Sequence, residues 1–308
     1  MALSAPRLTR KRVLQVKIET NKGELLGPDT DVLVFDLKMD PASEFIARRG
    51  SGKVLGNTSP GVLDGTGAGV CSFKVELRGT GSSGLDAGLA ILLQACGIEK
   101  TLEVYTPTSV HATQKTISMA CYEDGRRKRL IGAMGNFTMS SEEGRILLDC
   151  EFKGVWQAPD DTALPTVAYS TRAPLNWGTL ANTFTLATES IKISTFSFSP
   201  GNEVVPRMDQ GGIGYYMISD RDPTLTIDPE SDLVAGYDLY GAWLLGSEVA
   251  VSLAITDGTD TVTLAGTKFQ YREVAEGDRD GIDIDEVTGQ FNIVTIDTGD
   301  DEFSLTVT

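Results

Sequence analysis

Alternation of apolar and polar positions dominates the chain. In "DVLVFDLKMDP", Leu33, Phe35, Leu37 and Met39 share one face at the strand period of two, and Pro41 ends the ladder because it has no N–H to donate. "ESIKISTFSFSP" repeats that ending, with Phe196, Phe198 and Pro200 in the places of Leu37, Met39 and Pro41. The corner that follows is written twice as well. "PASEFIAR" and "PGNEVVPR" set Pro41, Glu44 and Arg48 against Pro200, Glu203 and Arg207 at identical spacing. An ion pair within each corner, Glu44 with Arg48 and Glu203 with Arg207, is expected to fix the exit of the strand, contributing about 0–1 kcal/mol at a surface.

The repeat continues downstream. Residues 48–69, rich in glycine and without periodicity, read as a long exposed loop, and "RMDQGGIGYYMISDRD" is its shorter counterpart. Each loop re-enters a strand, "GVCSFKVELRG" with Cys71, Phe73, Val75 and Leu77 on one face, and "PTLTIDP" around Leu225 and Ile227. A helix follows in each half. Leu85, Leu89, Leu92 and Cys96 recur at i, i+4, i+7 and i+11, and Leu233, Tyr237, Tyr240 and Leu244 match that spacing. Hairpins close each half, with Asp124-Gly125 and Asp257-Gly258 as tight turns. The later part of the second half, around "EVAEGDRDGIDIDEVTG", aligns ambiguously, either as an added hairpin or as a shifted one.

The fold class expected is therefore α+β, mainly β. A tandem duplication of one unit fits ordinary domain size, with a first domain over 1–158, a Pro-, Ala- and Thr-rich linker over 159–188, and a second domain over 189–308.

Charge separates the halves. Residues 1–158 carry 20 Lys+Arg against 18 Asp+Glu, net +2, whereas residues 159–308 carry 7 against 25, net −18. Most of that acidic surplus serves solvation, and the remainder suits docking of one half against a basic feature of another copy. No apolar run approaches the roughly 20 residues of a membrane helix, and no apolar core follows the basic N-terminal residues as a secretory signal requires. The cytosol of the producing cell is the expected compartment. Cys71, Cys96, Cys121 and Cys150 lack metal-ligand spacing and read as buried reduced thiols.

Chemistry-bearing patterns are scarce. His111 is the only histidine, which excludes a His-based metal cluster, and it lies in "PTSVHATQK", outside any nucleophile-elbow pattern. "GTGAG" and "GTGSSG" lack the Lys-Ser/Thr of a phosphate loop. "DRDGIDIDE" misses the spacing of a calcium loop and reads as a charged hairpin. No catalytic residue, metal or cofactor is expected. Basic runs at Arg10-Lys11-Arg12, Arg48-Arg49 and Arg126-Arg127-Lys128-Arg129 lack interleaved aromatics, so their expected role is to meet the acidic half of a neighbouring copy rather than nucleic acid.

"RVLQVKIETNKGE", "DTDVLVFDLKMDP" and "GAMGNFTMSSEEGRILLDCEFKGVW", in that strand–loop–strand–helix order, resemble the major tail tube protein of long-tailed, siphovirus-like bacteriophages. The resemblance covers most of residues 11–158 and recurs more faintly over 189–308. It implies two tandem tail-tube-like β-sandwich or barrel domains, each with one flanking helix. It also implies a non-enzymatic virion protein, assembled in the host cytoplasm, whose stacked rings form the channel for the genome. In that family six domains close a ring, so two domains per chain imply a trimer with pseudo-sixfold symmetry. Implied partners are other copies of the chain, a tape measure protein, tail-end proteins, and genomic DNA passing an acidic lumen without specific binding; no membrane is implied. The family's long loop tends to reach an adjacent ring, which points to Arg48, Arg49 and Lys53, with the arm residues Arg10, Lys11 and Arg12 as a second candidate. Other readings are another ring-forming tail protein, distal or terminator, and a two-domain ligand-binding β-sandwich module.

Overall fold

The computed structural model describes residues 7–52, 54–56, 58–65, 67–209 and 212–308. Strands dominate both halves, and the reason is local. Long stretches alternate buried and exposed side chains, as in β6, where Gly69, Cys71, Phe73 and Val75 are buried between partly exposed neighbours.

The first half contains β1 (Arg12–Ile18), β2 (Thr30–Val32), β3 (Val34–Pro41), β4 (Phe45–Arg49), β5 (Thr58–Leu63), β6 (Ala68–Glu76) and α1 (Ala87–Ala95). It continues with β7 (Ile98–Thr101), β8 (Val104–Pro107), β9 (Ile117–Glu123), β10 (Arg126–Glu142) and β11 (Arg145–Asp161). An irregular connection then leads to β12 (Thr183–Leu186), β13 (Glu189–Ser190), β14 (Ile193–Ser199), β15 (Asn202–Asp209), β16 (Gly212–Arg221) and β17 (Thr224–Pro229). The chain ends with α2 (Leu239–Leu244), β18 (Glu248–Thr256), β19 (Thr261–Arg279), β20 (Ile282–Phe291) and β21 (Ser304–Val307).

The pairing order is the same in the two halves. Across the first it runs β1, β9, β10, β11, β6, β3, all antiparallel. Across the second it runs β12, β18, β19, β20, β17, β14, again antiparallel. The longest hairpin of each set turns in the same way. Glu143 and Gly144 have φ of 52° and 77°, and Asp280 and Gly281 have φ of 55° and 84°. Two successive left-handed residues give a turn whose twist matches the strands, which is why a glycine occupies the second position in both. The ambiguous segment 273–289 is thereby resolved: it is the far end of β19 and β20, equivalent to the far end of β10 and β11.

The two sets share one sheet. Met139 and Ser140 of β10 pair with Phe198 and Ser197 of β14, and Leu305 and Thr306 of β21 pair with Tyr105 and Val104 of β8. These pairings form a branched network whose ends do not meet. The single chain is therefore a mainly-β fold with a large sheet and a few helices. Its sheet does not close into a barrel, and no clear split separates two discrete sandwiches.

Two elements differ from expectation. The span expected as a structureless loop contains the hairpin β4–β5, whose periodicity is masked because no face of it enters the core: every residue of β4 is exposed. The second helix is shorter than the periodicity suggests. Residues 234–236 form a turn, and α2 starts only after Asp238, whose carboxylate accepts from the N–H of Gly241 at 2.8 Å. Leu233 is left 79% exposed, so the apolar spacing there does not report burial.

One core runs through both halves. Phe198 is its hinge, with its ring 6.1 Å from Phe137 of the first half and 5.7 and 5.0 Å from Phe291 and Phe303 of the second. Phe198→Ala should cost about 3–5 kcal/mol, and chemical denaturation followed by both tryptophan fluorescence and circular dichroism should still show one transition, because one continuous buried cluster runs through both halves. The four cysteines are free and buried. Burial pushes the Cys121 thiol up to about 12, so a thiol reagent at pH 8 should find no reactive cysteine in the native protein and four in denaturant.

Candidate assembly interface

The seam between the halves is built from backbone edges and buried polar groups. β10 is long enough for its edge to hold β9 along residues 126–133 and β14 at Met139 and Ser140. Around that pairing, Asn202 donates to the carbonyls of Cys96 and Gly135 at 2.8 and 3.1 Å, and Ser199 donates to the carbonyl of Phe137 at 3.2 Å. At the opposite end, fully buried Asp260 accepts from the N–H groups of Gly81 and Ser83 at 2.6 and 3.1 Å and meets Arg172 at 3.3 Å. Asp300 accepts from the N–H and hydroxyl of Ser109 at 2.8 and 2.5 Å and from Arg221 at 3.0 Å.

The hairpin β15–β16 crosses this seam and lies over β10 and β11. Tyr216 and Ile218 are buried against Met134, with Val204 and Ile213 packed at their side. Arg207 stacks on the ring of Tyr215 and donates to its hydroxyl, and Tyr215 is hydrogen-bonded to His111 Nε2 at 2.9 Å. His111 is thus part of the seat of this hairpin. Burial first, and the positive charges of Lys22 and Arg207 second, hold its pKa below the usual imidazole value.

Because the strand order is duplicated, each half of the seam has an equivalent, and those equivalents are open. The equivalent of β14 is β3, whose outer edge carries no strand among the described residues. The carbonyls of Leu37 and Met39 on that edge accept instead from Arg12 and from Lys128 at 2.8 Å. A cleft of about 610 Å³, lined by Thr9, Arg12, Asp36, Lys38, Asp40 and Lys128 among others, runs beside it. Counting back from the matched turns, the partner of Met139 and Ser140 is the segment Glu276-Gly277 of β19. Among the described residues no strand lies on that edge of β19 beyond Gln270, where its pairing with β18 ends. Charged side chains over a short edge are a common protection against uncontrolled pairing.

The basic residues fall into two groups. Lys11 faces Asp124 at 3.5 Å, Arg12 faces Glu123 at 3.5 Å, and Arg126, Arg127, Lys128 and Arg129 face Glu123 or Asp160. The run 126–129 is therefore engaged in ion pairs within the chain. The hydrogen bonds of Arg127 hold Asp160 below the usual carboxylate range. Arg10 is exposed in a turn, and Arg48 and Arg49 are exposed on β4 opposite Ser59 and Thr58. Lys53 lies outside the described residues.

The corner residues are placed as a matched pair. Pro41 ends β3 opposite Gly69, and Pro200 follows β14 directly. Glu44 and Glu203 are exposed. The expected ion pairs do not join them to Arg48 and Arg207, because residues four apart along an extended strand are separated by about 13 Å; Arg207 turns to Tyr215 instead. Among the described residues no group of three or more His, Cys, Asp or Glu is arranged to hold a metal ion. What the sequence did not reveal is the seam itself. Asp260 and Tyr215 stand in ordinary turn and strand contexts, and only the fold brings them to the other half.

Two carboxylates of the seam bind their protons weakly. Burial raises the pKa of Asp300, but the hydrogen bonds from Ser109 and the charge of Arg221 outweigh it. The N–H of Asp260, partly opposed by burial, and then Arg172 hold Asp257 down as well. A depressed folded-state pKa contributes stability above the unfolded value, near 3.8 for Asp, and that contribution is lost as pH falls through the folded value. Denaturation midpoints should therefore drop below about pH 4, and Asp300→Asn should flatten that acid limb while lowering stability at neutral pH. In comparison with known proteins, no family model matches this chain, and no curated protein matches its sequence.

Proposed function

We propose that the chain is a structural protein that assembles with itself into rings, three copies to a ring, and that the rings stack into the tail tube of a long-tailed bacteriophage. The observation that carries the assembly is the in-chain pairing of β10 with β14. The repeated strand order makes β19 and β3 the equivalent edges, and among the described residues these are not paired with each other within the chain. Head-to-tail pairing of β19 in one copy with β3 of the next repeats the seam between chains, displacing the Arg12 and Lys128 caps. Three such chains supply six equivalent seams.

The tube reading itself comes from the likeness of the sequence motifs to major tail tube proteins. Under it, each half acts as one tube domain, and closure across chains removes the free edges that the isolated chain retains. The net charge of −18 on residues 159–308 suits a lumen through which DNA slides by repulsion. Tape measure and tail-end proteins are the further partners of such a tube, and its place is the virion. The role is structural, without catalysis or cofactor. Arg48 and Arg49, exposed on a projecting hairpin, and Arg10 in the arm are the inter-ring candidates.

Negative-stain microscopy of the purified protein, with sedimentation on the same sample, tests this. Stacked rings of three chains are the expected outcome. Single rings that never stack would move the assignment to a terminal ring of a tail. Rings of six chains, or a persistent monomer at high concentration, would overturn the stoichiometry or the reading as a whole.

A further inference from the structure

The two corner hairpins have equivalent sequences and opposite fates. In β15–β16, Val204 pairs with Ile218, and this base is packed against Met134 of the other half, leaving Ile218 8% exposed. In β4–β5 the equivalent pair is Phe45 with Leu63, and these are 70% and 63% exposed. Their neighbours Ile46 and Val62 are 49% and 48% exposed. The cross-strand pair Phe45 and Leu63 thus exposes two large apolar side chains on one face of the hairpin base, with Ile46 and Val62 half-exposed on the other face.

The surface that receives β15–β16 also has an uncovered equivalent. In the first half this hairpin covers the C-terminal end of α1. Asn202 donates to the carbonyl of Cys96, and a Cβ at Gly97 would come within 2.7 Å of Ile218 Cδ1. Cys96 and Gly97, with φ of 72° at the glycine, correspond to Leu245 and Gly246, with φ of 63°, at the end of α2. Cys96 is 2% exposed, whereas Leu244 and Leu245 are 77% and 83% exposed.

We infer that the β4–β5 hairpin of one copy seats on the C-terminal end of α2 and the adjoining part of β19 in the next copy. It reproduces between chains the contact that β15–β16 makes within one. The occupant is a second copy of this chain, because the seat that β15–β16 uses lies on the opposite half, and the equivalent seat at Leu244 and Leu245 is left exposed by the chain's own β4–β5. The contact rests on the ring reading above, which brings the second copy alongside. It assigns the base of the hairpin to lateral contact within a ring and leaves only its tip for a neighbouring ring.

Paired cysteines test the contact directly, since the four native thiols are buried. In the double variant Leu63→Cys with Leu245→Cys, mild oxidation should give dimer and trimer bands on a non-reducing gel, reversed by reductant. The variant Phe45→Asp with Leu63→Asp, altering exposed positions only, should raise the concentration needed for ring formation at least tenfold without changing the circular dichroism spectrum. Rings seen by microscopy with no cross-link between copies, or with the aspartate variant assembling as the parent does, would overturn the hairpin seat and leave the ring reading standing. A parent protein that stays monomeric by sedimentation would overturn both.

Discussion

Backbone hydrogen bonding along one edge of β10 organises the molecule. A strand of 17 residues exposes a row of N–H and C=O groups on each side, and burying that row without partners costs more than any side chain nearby could return. β9 satisfies only the first part of the row. Part of the remainder is met by β14 at Met139 and Ser140 and by the side chains of Asn202 and Ser199, all from the other half, so the second half is bound to the first by the need to complete an edge. The aromatic cluster around Phe198 follows from that pairing, because Phe198 is itself one of the two β14 residues in the ladder.

Duplication turns this local solution into a general one. Each half presents a long strand with an incomplete edge and a short strand at the end of its order, and among the described residues only one of the two equivalent seams is paired within the chain. Of the other two edges, that of β3 is capped by Arg12 and Lys128, and that of β19 beyond Gln270 carries no described strand. A molecule built so is complete in its core and incomplete in its sheet. The contrast between the two hairpins expresses the same condition in side chains: Val204 and Ile218 are apolar and covered, Phe45 and Leu63 are apolar and exposed.

Electrostatics divides into pairs that hold a half together and charge that distinguishes the halves. Glu123 gathers Arg12, Arg126 and Lys128 within the first half, and Asp260 and Asp300 of the second half accept first-half donors at the seam. These carboxylates are few. Most of the acidic surplus of residues 159–308 remains at the surface, where it sets the field of that half rather than its stability.

Several parts of this architecture were legible in the chain itself. The period of two in segments such as "CSFKV" and the paired corners at Pro41 and Pro200 identified strands and their duplication, because side-chain alternation and the missing proline N–H act within a few residues. Gly125 and Gly258 mark turns for the same local reason. The fate of each edge and hairpin was not legible. β4 shows no apolar period because no face of it enters the core, and Leu233 keeps a helical spacing although α2 starts only after its cap at Asp238. Which strand completes β10, and which hairpin finds cover, depends on contacts between residues more than fifty positions apart. Amino-acid order determined the repeated unit; tertiary structure decided that one seam lies inside the chain and that its twin is left open, because a hydrogen-bonding edge acquires a partner only when the fold brings one within reach.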